Sequence, residues 1–90
     1  MITEDNIIKK VAIEYPCRWN YKIIGKDKDK LENSILNILK EKYEYTFYYG
    51  HSSKTEKFHS FNINCKVNSE KDRLDIFNLL QNNIDIKIVI

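Results

Sequence analysis

Glycine, proline and cysteine are nearly missing: the 90 residues hold two glycines, one proline and two cysteines. So few chain breakers argue against disorder and long linkers. Cys17 and Cys65 form no Cys-x-x-Cys pair, which excludes a zinc knuckle and a thioredoxin-type redox motif. Both are expected as small buried thiols in a reducing compartment. No apolar run approaches the ~20 residues of a membrane helix. The opening MITEDNIIKK is acidic first and lacks the long apolar core of a signal peptide. The cytoplasm is therefore the expected location. A charge excess is missing too, since 15 basic and 13 acidic residues interleave to a net +2. A nucleic-acid binder usually shows a basic stripe instead. There is no nucleophile elbow, phosphate loop, paired site carboxylates or metal-ligand spacing. No catalytic residue, metal or cofactor is assigned, and a non-enzyme is expected.

What is present suits one small core. Residues 1–14 read as a lead-in segment in which Thr3 caps a short helix carrying Ile7, Ile8 and Val11, and residues 15–90 as a single domain. CRWNYKII alternates as a strand, with Cys17, Trp19, Tyr21 and Ile23 inward and Arg18, Asn20 and Lys22 outward. Leu31, Ile35, Ile38, Leu39 and Lys42 recur at helical spacing, which predicts a helix from about Asp27 to Lys42. Its acidic start and basic end suit the helix dipole. YEYTFYYG puts Tyr43, Tyr45, Phe47 and Tyr49 on one face of a second strand. The polar HSSKTE is a hairpin loop. A third strand then points His59, Phe61, Ile63, Cys65 and Val67 inward, and Phe58, Ser60, Asn62, Asn64 and Lys66 outward. Ser69, with Asp72 three residues on, caps a second helix that turns Leu74, Ile76, Phe77 and Leu80 inward. IDIKIVI predicts a last strand with Ile84, Ile86, Ile88 and Ile90 on one face.

Strand, helix, strand, strand, helix, strand is the order of an α+β ferredoxin-like βαββαβ sandwich. It has a four-stranded antiparallel sheet with two helices on one face. Alternating strands require one packed and one solvated face, which excludes a doubly wound fold. The first and third strands are expected side by side in the middle. Cys17 and Cys65 are then neighbours beneath the helices, without a disulfide.

YPCRWNYKIIG, HSSKTEKFHSFN, the Ser-Glu-x-x-Arg stretch at Ser69–Arg73 and the final IKIVI resemble the YbeD-like family of small bacterial proteins. The resemblance runs from Tyr15 to Ile90. It implies a ferredoxin-like fold similar to ACT-type regulatory domains, and a lipoate-linked regulatory role. The sequence departs from the family pattern after Lys54, where Thr55 replaces a glycine and the loop is one residue longer. That removes the backbone freedom an anion cradle would use.

The candidate ligand- or partner-binding residues are Lys22, Ser52, Ser53, Lys54, His59, Ser60 and Asn62. The loop's hydroxyls, ammonium and imidazoles suit a carboxylate or phosphate, and equally a solvated turn. His51 and His59, with no carboxylate or thiolate at matching spacing, do not make a metal site. The resemblance points to the Gly25 turn as an amino-acid site, but Asp27 and Asp29 there would repel a carboxylate. Among the outward positions of the first and third strands only Phe58 is aromatic, so the paired stacking platform of an RNA-binding module is absent. The amide-rich outward face, with Arg18, Lys22, Lys66 and Lys87, suits an acidic protein surface. The expected function is a small regulatory or adaptor module acting through an unidentified protein partner. The alternative is an ACT-like sensor of a small carboxylate such as an amino acid or lipoate. No nucleic-acid or membrane partner is expected. The chain reads as a monomer or a weak homodimer, the latter through the edge formed by the aromatic second strand, where Tyr48 points away from the core.

Overall fold

A computed structural model describes residues 13–55 and 57–90. The lead-in helix expected around Ile7, Ile8 and Val11 lies outside the described residues. The elements are β1 (Cys17–Gly25), α1 (Lys28–Leu39), β2 (Tyr45–Ser52), β3 (His59–Val67), α2 (Glu70–Gln81) and β4 (Ile88–Val89). The sheet order is β2-β3-β1-β4 with every pair antiparallel. This is the expected ferredoxin-like α+β arrangement.

Period-two alternation sets the layers. Tyr21 and Ile23 of β1 and Phe61, Ile63, Cys65 and Val67 of β3 are buried on one face, together with Leu31, Ile35 and Leu39 of α1 and Ile76 and Leu80 of α2. Each such aliphatic contributes about 1.5–3 kcal/mol on burial. Packing of this kind, more than helix propensity, holds twelve-residue helices. The Asp27 carboxylate accepts the Lys30 N–H at 3.0 Å to cap α1. At α2 the Ser69 hydroxyl accepts the Asp72 N–H at 3.2 Å. Asp72 reaches back to the N–H of Asn68, at 3.1 Å, rather than to that of Ser69.

Four details depart from the sequence reading. First, α1 stops at Leu39, because Lys40 turns into the positive-φ region (φ 48°). Lys40 and Lys42 therefore lie beyond its last turn. Tyr43 packs on the core from the connection, before β2 begins. Second, Leu74 is 43% exposed. It lies about 200° round the helix from Ile76, off the stripe that Ile76, Phe77 and Leu80 share.

Third, β4 is short and its alternation slips. The Asn83 side chain accepts the Asp85 N–H at 2.9 Å and the Asn83 carbonyl accepts the Ile86 N–H at 3.2 Å, holding a turn. Ile86 is buried below it. Val89 then pairs with the inward Ile23, and Ile88 with the outward Ile24. Cross-strand partners share a face, so Val89 faces the core while Ile88 and Ile90, like Ile84, are exposed.

Fourth, only one of the two thiols expected to be buried is so, while the register bears out their proximity by pairing Cys17 with Val67 and Trp19 with Cys65. The two thiols are thus diagonal neighbours on the inner face, and both are free. Cys17 is partly exposed, whereas Cys65 has no exposed surface. Iodoacetamide is expected to add once to the native protein, at Cys17, and a second time only in denaturant. Mass spectrometry of both samples checks this, and equal native labelling of the two thiols would contradict the burial of Cys65.

Candidate functional site

The hairpin β2–β3 carries most of the candidate residues, and the structure occupies their polar groups internally. Ser53 closes the loop: its N–H donates to the Phe58 carbonyl at 2.9 Å, and its hydroxyl accepts the N–H groups of Lys57 (3.1 Å) and Phe58 (3.3 Å). Ser60, expected outward and available, is only 5% exposed. Its hydroxyl donates to the His51 carbonyl at 3.2 Å and accepts the His51 N–H at 3.3 Å, across a register irregularity between Tyr49 and Ser52. Gly50 makes that contact possible, since a Cβ there would stand 2.5 Å from the Ser60 oxygen. Ser52 is a strand residue paired with His59, so β2 extends two residues beyond the expected Gly50 end. His59 Nδ1 lies 2.8 Å from the Tyr49 hydroxyl, and its half-buried ring packs against the Tyr49 ring. Lys54 is exposed at the loop tip.

Lys22 and Asn62 are cross-strand partners on the open face. A cleft of about 140 Å³ brings Lys22 together with His51, Ser53, Phe58, His59 and Ser60. Four candidate residues therefore converge, Ser52, Lys54 and Asn62 stay outside, and the converging hydroxyls are already bonded. The Gly25 turn is likewise filled, because the Asp27 carboxylate already occupies the start of α1.

Two better-organised regions lie elsewhere. On the open face, Arg18 Nε donates to Asn64 Oδ1 at 2.6 Å, and Asn64 Nδ2 donates to Asn20 Oδ1 at 2.7 Å. Arg18 also forms an ion pair with Glu44 at 3.0 Å. This polar ladder ties β1, β3 and the approach to β2. Tyr48 (66% exposed), across from Asn62 on the edge strand β2, and Ile88, across from the outward Ile24, stand on this same face, and Phe58 and Ile90 are exposed as well.

The second region is a groove of about 690 Å³ where β1 faces α2, lined by Trp19, Tyr21, Arg73, Leu74, Phe77 and Ile90 among others. The Arg73 guanidinium lies 4.7 Å over the Trp19 ring, and its Nε donates to the Tyr15 hydroxyl at 3.0 Å. The Tyr21 hydroxyl donates to the Arg73 carbonyl at 2.8 Å, and burial pushes its phenol well above the usual tyrosine range. Sequence reading missed this groove. Its only local sign was Arg73 in the Ser69–Arg73 stretch, and the stack needs β1 and α2 packed together.

Among the described residues, no group of three or more His, Cys, Asp or Glu could hold a metal, and no helix is long and apolar enough to cross a membrane. The family described as "Protein of unknown function (DUF493)" matches residues 10–90. The uncharacterized protein Cj0253 of Campylobacter jejuni is 37% identical over 81 residues, covering 90% of this chain and 92% of that one. An uncharacterized protein of Helicobacter pylori is 41% identical over 71 residues, covering 77% and 79%. The solution structure of protein HP0495 from H. pylori superimposes with a TM-score of 0.79 at 27% identity, covering 100% of this chain and 96% of that one.

Proposed function

The chain belongs to the DUF493 family of small bacterial proteins, and from that premise we propose that it is a non-catalytic regulatory or adaptor module of the cytoplasm acting through protein contacts on the open sheet face. The observation that carries this reading is the Arg18–Asn64–Asn20 ladder with Glu44. Ordering a rotamer-rich side chain at an interface costs about 0.5–1.5 kcal/mol; here the polar groups are held in place before a partner arrives. Arginine and exposed aromatics such as Tyr48 are the residue types that protein interfaces favour. Lys22 and Lys66 add positive charge on the same face, so the complementary partner surface is acidic. The outward positions of the central strands carry amides and cations without aromatics, which favours a protein over a nucleic acid.

The ACT-like sensor of a small carboxylate is the second reading, favoured only by the convergence of Lys22, His51 and Ser53 on one cleft. At about 140 Å³ that cleft is smaller than the ~300 Å³ at which ligand pockets usually begin.

Pull-down with the tagged full chain, set against a Lys22→Glu, Lys66→Glu double variant, tests the first reading. Partner recovery is expected to fall at least tenfold in the variant, and undiminished recovery would remove the face from consideration. A thermal-shift screen of small acids, lipoate and amino acids included, separates the readings. A specific acid at a hundred times its dissociation constant would add about 2.7 kcal/mol, and such a rise would favour the sensor.

A further inference from the structure

We propose that the edge of β1 at Arg18 and Asn20 docks an extended segment of a partner protein, which adds as a strand in line with β4. That segment presents an apolar side chain and, two residues further on, a carboxylate to the groove between β1 and α2.

β1 has nine residues, whereas β4 meets only its far end. Lys22 and Ile90 exchange both main-chain hydrogen bonds, at 3.1 and 2.8 Å. Main-chain groups two residues apart on a strand point to the same side, so those of Asn20 and Arg18 face the same edge as those of Lys22. Among the described residues they have no main-chain partner there. The stretch from Cys17 to Tyr21, which no strand among the described residues covers on this side, is about 17 Å long at the usual strand rise. Anything covering it must bond two N–H and two C=O groups at the two-residue repeat, or leave them desolvated and unpaired. An extended peptide does this with its own backbone.

Charge selects the side chains. Among the described residues, the groove lining includes Arg18 and Arg73 and no acidic residue. Arg18 is already paired with Glu44, whereas Arg73 has no carboxylate within 4 Å among the described residues. Side chains of the incoming strand that lie beside Trp19 and Tyr21 point to the helix side. One meets Leu74 and Phe77, and the other meets the Arg73 guanidinium held over Trp19. A second copy of this chain fits poorly, because pairing two β1 edges about a two-fold axis would set each Arg73 against another β1, a strand that carries no acidic residue.

A phage-displayed library of random heptapeptides, selected on the immobilised full chain, tests the proposal. The expected outcome is enrichment of an apolar-x-Asp/Glu pattern. Synthetic peptides from the selection should bind at least tenfold more weakly when the carboxylate is changed to its amide, a comparison that requires no protein variant to fold. Arg73→Glu, checked for an unchanged melt alongside Arg73→Gln, should lose as much. Peptide binding should slow hydrogen exchange at the Arg18 and Asn20 amides at least tenfold. It should be unaffected in the Lys22→Glu, Lys66→Glu protein, which separates this site from the open face. No enrichment, equal binding of acid and amide peptides, or exchange unchanged by peptide would each overturn the proposal. Arg18 and Asn20 amides already slow in a dimer of the free protein would overturn it in favour of a second copy.

Discussion

Gly25→Ala is expected to destabilise the protein by about 3 kcal/mol, the upper part of the range for forcing atoms into a packed site. A Cβ at Gly25 would stand 2.5 Å from the Asp85 carbonyl oxygen and 2.7 Å from Leu31 Cδ2. Neither neighbour yields easily. Leu31 has no exposed surface, and the Asp85 carbonyl is main chain in the turn that sets Ile86 and β4. Moving that turn would strain the Lys87 N–H to Ile24 carbonyl bond, at 2.7 Å. The sign of the effect is informative. Gly25 does not have positive φ, and at such a position an alanine in open space would stabilise by about 0.4–1 kcal/mol through the unfolded chain. Urea unfolding at constant slope measures the difference, and a domain of this size loses roughly 4–8 °C of melting temperature per kcal/mol. An alanine variant as stable as the parent would mean that the β4 turn does not close on Gly25.

Alkaline pH is expected to weaken the fold through Cys65 and Tyr21. Burial, foremost, pushes the Cys65 thiol from its ordinary 9.0 up to about 11, with Arg18 partly opposing. Above pH 9 the unfolded chain releases this proton while the folded chain keeps it. The folded state then binds more protons, so stability is intact below about pH 9 and declines as pH rises towards 11. A gap of about two pH units corresponds to roughly 2–3 kcal/mol. The Tyr21 phenol, raised by burial beyond the usual range, steepens the decline above pH 10. Denaturant midpoints at pH 8, 9, 10 and 11 follow the effect. Cys65→Ala should flatten the segment from pH 9 to 11, whatever its cost at pH 8. A parent and variant with parallel profiles would show that the thiol is not buried as described.

The same burial explains why the fold was legible in the residues. Strands β1 and β3 alternate cleanly because one face meets helices and the other meets water, so polarity reports orientation directly. Ser69 announces α2 through a local hydrogen bond, and local chemistry can be read locally. Reading failed where a distant contact decided the outcome. Ser53 and Ser60 look like free hydroxyls until the hairpin bends and consumes them. Ile88 looks inward until the Asn83 turn moves the register by one residue.

From its amino acids alone, the chain settled the element order, the two layers, the inner face of the sheet and the cap of α2, all consequences of side-chain period and short-range bonding. Only the tertiary structure decided where β4 begins, which polar side chains remain free and that Arg73 lies over Trp19. Those depend on the mutual placement of segments far apart in the chain, which no local pattern of polarity encodes.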